Sequence, residues 1–179
     1  MARVTLQPLA PEHLAASFRW INDERIRAGL LVDRVISEEA HQAWFTALAA
    51  DESQAVYAVL ADDVHVGNFG YRHLSPRHRS GDLWMYLGPE HQGKGLGAAM
   101  LGAGVAKGFG ELALRKIYLQ VRTDNVRAIS LYARAGFRVE GVLQGEQMYA
   151  GQAVDMLRMA LFRAQWRDDA SIGARSKYA

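Results

Sequence analysis

Gln92-Gly93-Lys94-Gly95-Leu96-Gly97 is the stretch of this sequence that decides the fold. It follows an apolar run, Leu83 to Leu87, and precedes a segment of small residues from Ala98 to Phe109. This order predicts a glycine-rich loop that leaves a strand and opens a helix. Glycine lets the backbone approach a ligand closely, and the first turn of a helix carries unpaired N–H donors at the positive end of its dipole. The stretch is therefore a candidate cradle for a pyrophosphate group.

Two other phosphate-binding loops do not fit this spacing. In a P-loop the Gly-Lys pair is followed by Ser or Thr, whereas Gly95 follows Gly93-Lys94 here. A dinucleotide-binding fold carries its glycine motif in the first strand–helix unit, whereas this loop lies in the middle of the chain. Taken alone, the loop leaves a further interpretation open, a glycine-softened turn that binds nothing.

A second block, residues 121–137, favours the ligand-binding interpretation. After a strand-like segment that ends in Val121, it contains Asn125-x-x-Ala128-Ile129-x-Leu131-Tyr132, and then Gly136-Phe137. In order and separation, the loop and this block resemble the two signatures of the GNAT N-acetyltransferase superfamily. The resemblance covers roughly residues 3 to 162. It implies transfer of an acetyl group from acetyl-CoA, as co-substrate, to an amine.

Hydrophobic periodicity predicts an α/β fold. Alternating or continuous apolar residues predict strands at 3–9, 55–61, 64–74, 83–87, 117–121, 137–143 and 153–161. Helical spacing predicts a helix after Pro11, one after the capping residue Ser37, and two more at 98–109 and 126–135. The order β-α-α-β-β-β-α-β-α-β-β predicts a single-domain mixed sheet with helices on both faces, which resembles the GNAT fold. We expect the domain to span residues 1–167 and the tail, 168–179, to be poorly ordered.

The composition restricts the classes of function. The chain has 179 residues, half of them hydrophobic, and a formal charge of +2, which is typical of one globular domain and gives no reason to expect nucleic-acid binding. It contains no cysteine, which excludes disulfides, thiolate metal sites and a cysteine nucleophile, and we expect no metal. No apolar run approaches the ~20 residues of a membrane span, and no signal-peptide core follows Met1. These features predict a cytoplasmic protein that does not bind a membrane.

The GNAT resemblance implies roles for particular residues. The backbone that would hold the pyrophosphate of acetyl-CoA belongs to Gln92, Gly93, Lys94, Gly95, Leu96 and Gly97, with the Lys94 charge near the phosphates. The strand edge around Tyr86 and Leu87 would pair with the pantetheine arm, and the Leu87 N–H would stabilise the oxyanion. Tyr132 would protonate the departing thiolate, and Asn125 would contact the cofactor arm. From the residues alone, Tyr132 could instead be a core side chain. Asn125 is also a common type of helix cap, and its two roles are compatible.

The group that removes the amine proton is left open by the sequence. Ribosomal-protein-type members often carry Glu where this chain has Gln120, which cannot accept a proton at neutral pH but can orient a water or the amine. Asp82 occupies a place where relatives often carry an acid, and it could act through a chain of waters. His73 and His78 are further candidates because imidazole titrates near neutral pH. The alternative for Asp82 and the two histidines is a solvated loop residue, and an amine that is partly neutral needs no dedicated base.

The N-terminal half suggests the acceptor. Trp20 to Arg27, Ile36-Ser37 and His41 to Phe45 resemble the branch that includes ribosomal-protein N-terminal acetyltransferases and amino-sugar-nucleotide N-acetyltransferases. The likeness is greatest to the family that acetylates a UDP-linked amino sugar in pseudaminic acid biosynthesis. We therefore expect a nucleotide-linked amino sugar as the small-molecule amine. Candidate partners for its diphosphate are Arg25, Arg27, Arg72, Arg77 and Arg79.

The sequence leaves open the acceptor, the class of function and self-association. Another acceptor, either a protein N-terminus or a different small amine, is the alternative within the same chemistry. A non-catalytic module that binds acyl-CoA is the alternative of another class. Self-association as a homodimer is the further expectation.

Overall fold

The computed structural model describes residues 2–166, and a seven-stranded mixed sheet with helices on both faces is its framework. The strands are β1 (Val4–Pro8), β2 (Ala55–Ala61), β3 (Val64–Ser75), β4 (Ser80–Leu87), β5 (Lys116–Arg122), β6 (Arg138–Tyr149) and β7 (Gln152–Phe162). The helices are α1 (Leu14–Ile21), α2 (Glu24–Leu30), α3 (Glu38–Leu48), α4 (Leu96–Gly110) and α5 (Val126–Arg134). Short 3-10 turns lie at Pro11–His13, Pro89–His91 and Arg163–Gln165.

The strand order in the sheet is β1-β2-β3-β4-β5-β7-β6. Neighbouring strands are antiparallel except for β4 and β5, which are parallel. A parallel pair needs a crossover connection, and here the crossover contains the glycine loop and α4. The predicted α/β mixed sheet is confirmed.

The N-terminal helical region differs from the prediction. The single helix expected after Pro11 is a 3-10 turn followed by two helices, α1 and α2. The Asp23 side chain accepts a hydrogen bond from the Arg25 N–H at 3.0 Å and caps the new helix. The predicted cap of α3 is confirmed, because Ser37 Oγ accepts from the Ala40 N–H at 3.2 Å.

The last hairpin is longer than predicted. The sequence predicts a strand that ends at Leu143, whereas β6 continues to Tyr149. The added part begins with polar residues, and its Gly145 has φ +60° and donates its N–H to Asp155 Oδ1 at 2.8 Å. The register shifts after Leu143, and pairing to β7 resumes from Gln147 to Tyr149, so the extension does not show the apolar alternation of a regular strand. The predicted tail, 168–179, lies outside the described residues, so the domain boundary stays a prediction.

The feature of the sheet that positions the site is a split between β4 and β5. The two strands pair only where Ser80 to Asp82 face Lys116 to Tyr118, and they separate beyond that point. β5 stays paired with β7 over its whole length, from Lys116 to Arg122. The backbone edge of β4 from Leu83 to Leu87 therefore faces an opening instead of a neighbouring strand.

Small residues let α4 pack closely on the sheet. A Cβ added at Gly104 would overlap the Phe69 ring, and one added at Gly108 would overlap Tyr71. The Tyr71 hydroxyl donates to the Gly104 carbonyl at 2.9 Å. This contact explains why the segment after the glycine loop is rich in small residues. Among the helices in the described part of the chain, none is long and apolar enough to cross a membrane.

Candidate active site

A cavity of about 1380 Å³ opens at the split of the sheet. Its lining includes Leu83 to Leu87 of β4, Gln120 and Val121 of β5, the first turns of α4 and α5, and parts of α2 and α3. Of the residues predicted for the site, the lining contains Leu87, Gln92, Gly93, Gly95, Leu96, Gly97, Gln120, Asn125 and Tyr132. Lys94 and Asp82 are not part of the lining.

The glycine loop adopts a conformation that favours glycine. Gly93 has φ +76° and Gly95 has φ +77°, and a Cβ at either position would meet nothing within 4 Å. The glycines are thus explained by left-handed backbone rather than by crowding within the protein. Gly95 is also the N-cap of α4 and provides no side-chain cap. The N–H groups in the first turn of α4 are consequently available to an anion in the cavity. Lys94 is exposed.

The end of β4 presents its backbone to the split. Gly88 N–H donates to the Val66 carbonyl at 2.9 Å, so the alternation of the antiparallel ladder turns the Leu87 N–H away from β3. Gln92 Nε2 donates to the Leu87 carbonyl at 3.2 Å and ties the loop to the strand. The Leu87 N–H therefore faces the split between β4 and β5.

Tyr132 lies on α5, with 8% of its surface exposed. Within residues 2–166 its hydroxyl has no hydrogen-bond partner. Burial, followed by the nearby Asp82 charge, raises the pKa of Tyr132 to about 12. The phenol therefore stays protonated at neutral pH. Asn125 is the N-cap of the same helix, as its position predicted, and its Oδ1 accepts from the Ala128 N–H at 3.1 Å.

Asp82 and Gln120 occupy different environments. Asp82 is 3% exposed, its Oδ2 accepts from Arg72 Nε at 2.8 Å, and His73 Nδ1 lies 3.6 Å from the same oxygen. Its Oδ1 is buried and has no hydrogen-bond partner in the described part of the chain. Gln120 lines the cavity, whereas Asp82 lies at the point where β4 and β5 begin to separate. His78 is on an exposed turn away from the lining.

The family of this chain follows from its match to a sequence model of known proteins. The sequence model of the family described as "Acetyltransferase (GNAT) domain" matches residues 3–138. The chain belongs to this family. The co-substrate of GNAT enzymes is acetyl-CoA, and the cavity of this GNAT domain has the glycine loop and open strand edge that such a group needs.

Several named relatives are similar to this GNAT domain. Spermidine N(1)-acetyltransferase of Escherichia coli K12 is 34% identical over 116 residues, which are 65% of this chain and 62% of that protein. The chain thus spans less than two thirds of the length of that relative. The solved structure of Vibrio cholerae spermidine N-acetyltransferase in complex with CoA and spermine superposes with a TM-score of 0.87 at 26% identity, covering 91% of this chain and 97% of that one. A dodecameric structure of the Vibrio cholerae enzyme has a TM-score of 0.77 at 24% identity, covering 98% of this chain and 99% of that one.

Besides Tyr132, four aromatic side chains line the cavity, and the sequence predicted no individual role for any of them: His41, Trp44, Trp84 and Tyr86. Trp84 and Tyr86 project from β4, with ring centroids 6.1 Å apart and planes 20° apart. Trp84 lies over Gly70 of β3, where a Cβ would overlap the indole. His41 and Trp44 of α3 complete the aromatic lining. The available signal was the alternation in β4, which places Trp84 and Tyr86 on one face.

The charged part of the lining is basic. Its charged residues are Arg25, Arg34, Arg72, Arg127 and Arg134, and the lining contains no Asp or Glu. Of the arginines predicted to serve a diphosphate, Arg25 and Arg72 reach the cavity, whereas Arg27, Arg77 and Arg79 do not. Within residues 2–166, no group of three or more His, Asp and Glu side chains is arranged to hold a metal ion.

Proposed function

We propose that this protein moves an acetyl group from acetyl-CoA directly to the primary amine of a small molecule. The observation that carries the proposal is the one cavity that brings together the glycine loop, the open Leu87 edge and Tyr132. The loop and the first turn of α4 bind the pyrophosphate, and the edge of β4 aligns the pantetheine arm in the split.

Each step of the transfer has a group in the cavity to support it. The neutral amine attacks the thioester carbonyl carbon, so a C–N bond forms and the C–S bond breaks. The Leu87 N–H donates to the oxyanion. Tyr132 gives its proton to the departing thiolate and regains one from solvent. The amine proton leaves to a water that Gln120 orients.

A polyamine is the acceptor that the relatives support. The proteins named above are spermidine acetyltransferases, and they favour the small-amine alternative over the nucleotide-linked amino sugar expected from the N-terminal half. Spermidine has primary amines at both ends, which is compatible with the proposed chemistry. Activity toward spermidine and spermine is therefore the first acceptor hypothesis.

The basic lining favours a second acceptor, an amine that also carries an anionic group. Arg127 and Arg134 lie on the same face of α5 as Leu131, which is 3.6 Å from a Cβ built on Gly97 of the glycine loop. These arginines are therefore near the proposed pyrophosphate site, at the cofactor side of the cavity. On the acceptor side, Arg25 and Arg72 are paired with aspartates, and Arg34 has no ion-pair partner in the described residues. A polycation would meet guanidinium groups there, and no carboxylate is part of the lining. A nucleotide-linked amino sugar is one amine of the required charge.

The test is the release of CoA from acetyl-CoA with a panel of amines. The panel contains spermidine, spermine, a UDP-linked amino sugar and a peptide with a free N-terminus. Preference for a polyamine supports the first acceptor, and preference for the UDP-linked sugar supports the second. If calorimetry detects CoA binding but no amine releases CoA, the protein is a non-catalytic acyl-CoA-binding module. The predicted homodimer remains a separate proposal, and measuring the molar mass in solution tests it.

A further inference from the structure

The Tyr86 hydroxyl is held by a chain of buried polar groups outside the proposed acetyl-transfer machinery. Asn68 of β3 lies opposite Tyr86 in the antiparallel ladder. Only 1% of Asn68 is exposed, and its Nδ2 donates to Tyr86 Oη and to Ser17 Oγ, each at 2.8 Å. Both N–H groups of this amide are therefore used.

His65 fixes the direction in which the Asn68 amide points. Its Nε2 lies 3.0 Å from the Gly67 carbonyl and 2.9 Å from Asn68 Oδ1. Because a carbonyl oxygen can only accept, Nε2 must carry the hydrogen. The atom of Asn68 that faces His65 must then be its oxygen, and the amide nitrogen must face Tyr86.

This arrangement leaves the Tyr86 proton without a partner among the described residues. The phenol oxygen accepts from Asn68, so its own O–H must point elsewhere, and within residues 2–166 it has no protein acceptor. Burial raises the pKa of Tyr86, so the phenol stays neutral and keeps the proton. Tyr86 lines the cavity beside Trp84. The result is an unpaired hydrogen-bond donor on a residue of the cavity wall, and His65 and Asn68 hold its oxygen.

We propose that Tyr86 selects acceptor amines that carry an oxygen able to accept this hydrogen bond. The inference rests on the proposed acetyl transfer and adds a specificity residue to it. The protonated arms of a polyamine offer donors alone, which would leave the buried phenol proton unpaired and cost binding free energy. An acceptor with a hydroxyl, carbonyl or phosphate oxygen satisfies it. His65 and Asn68 are positioning residues, because they act through Tyr86.

The experiment compares Tyr86→Phe with the unchanged protein on matched acceptors. The probes are unbranched amino alcohols of two to six carbons and the alkylamines of the same length, with spermidine as a further amine without oxygen. The unchanged protein should prefer the amino alcohol in at least one pair. Tyr86→Phe should reduce that preference by about 3- to 10-fold, the range for one neutral hydrogen bond, through KM, with kcat within about twofold.

The control is Tyr57→Phe, which removes the same atom from a tyrosine outside the cavity lining; it should leave the preference unchanged. Acetylation of amines by the unchanged protein with no preference for oxygen, or with a preference that survives Tyr86→Phe, overturns this inference and leaves the proposed function intact. If no amine is acetylated at all, the proposed function fails, and the inference fails with it.

Two substitutions at His65 test the positioning chain and do not depend on the folding of Tyr86→Phe. His65→Met removes the donor that fixes Asn68, so the amide can turn its oxygen toward Tyr86 and capture the phenol proton. The preference for oxygen should then fall as it does in Tyr86→Phe, and the double variant should lose no more than either single one. His65→Gln retains an N–H donor, so it should keep the preference for oxygen that His65→Met loses. A His65→Met protein with the original preference would show that the chain does not position Tyr86.

Discussion

At the scale of single residues, Tyr132 is the proposed proton donor to the departing thiolate. Tyr132→Phe keeps the ring packing and removes only the hydroxyl, so folding and CoA binding should survive. The turnover rate should fall by roughly 10- to 1,000-fold, the range for one proton donor. KM for acetyl-CoA should change little, because the lost interaction exists in the transition state. Steady-state kinetics measure both quantities, and turnover at the original rate under conditions where chemistry is limiting would make Tyr132 a core residue.

Asp82 is the residue whose role the pH dependence can decide. If a water that Gln120 orients takes the amine proton, kcat/KM should rise with pH toward the pKa of the substrate amine. Since the pKa of Tyr132 is raised to about 12, no descending limb from loss of its proton should appear below about pH 10. Asp82→Asn should lower the rate by well under the ~100-fold expected for a general base. It should also lower the pKa of Tyr132, because a nearby negative charge is lost. A larger fall in rate, with a shifted rising limb, would identify Asp82 as the base.

At the scale of elements, the glycine loop and α4 form one functional unit. Gly95→Glu places a carboxylate at the N-terminus of α4 and forces φ +77° on a residue with a side chain. CoA affinity should fall by roughly 10- to 100-fold, from like-charge repulsion at short range. Gly95→Asn is the matched control, since Asn tolerates the left-handed region and adds no charge. If calorimetry finds the same CoA affinity in a folded Gly95→Glu protein, the loop does not bind the pyrophosphate.

The packing of α4 gives an element-scale prediction of stability. Gly104→Ala brings a Cβ into the Phe69 ring, whereas Gly102→Ala, two residues earlier on the same helix, meets nothing within 4 Å. Gly104→Ala should destabilise the fold by about 1–3 kcal/mol from overpacking. Gly102→Ala should be neutral or stabilise it by up to about 1 kcal/mol, because alanine favours helix. Urea unfolding measures both, and equal stability of the two variants would contradict this description of the contact.

The elements that the sequence predicted are those with strong local signals. Glycine spacing and apolar alternation located β4, the loop, α4, β5 and α5. The sequence did not predict the break between α1 and α2, because that break depends on one capping contact at Asp23. It did not predict the end of β6 either, because this part of the strand lacks apolar alternation. The Tyr86 network joins residues from α1, β3 and β4, so only the folded sheet brings it together. The ion pair between Asp82 and Arg72 likewise joins two strands, so the sequence did not predict it.

At the scale of the whole molecule, the separation of β4 from β5 determines where the cavity lies. The separation opens the edge of β4 to an extended cofactor arm and places the loop at one end of the opening. In the proposed reaction, the acceptor would bind against α2, α3 and the face of β4 that carries Trp84 and Tyr86, in the same cavity as the thioester. This geometry permits direct transfer between two bound substrates, with no need for an acetylated enzyme.

The most direct test of that claim is the initial rate of CoA release with acetyl-CoA and the preferred amine varied together. Direct transfer predicts that double-reciprocal lines intersect, and that mass spectrometry of the protein with acetyl-CoA alone finds no added acetyl group. Parallel lines together with an acetylated protein, or CoA release that does not depend on any amine, would contradict the account.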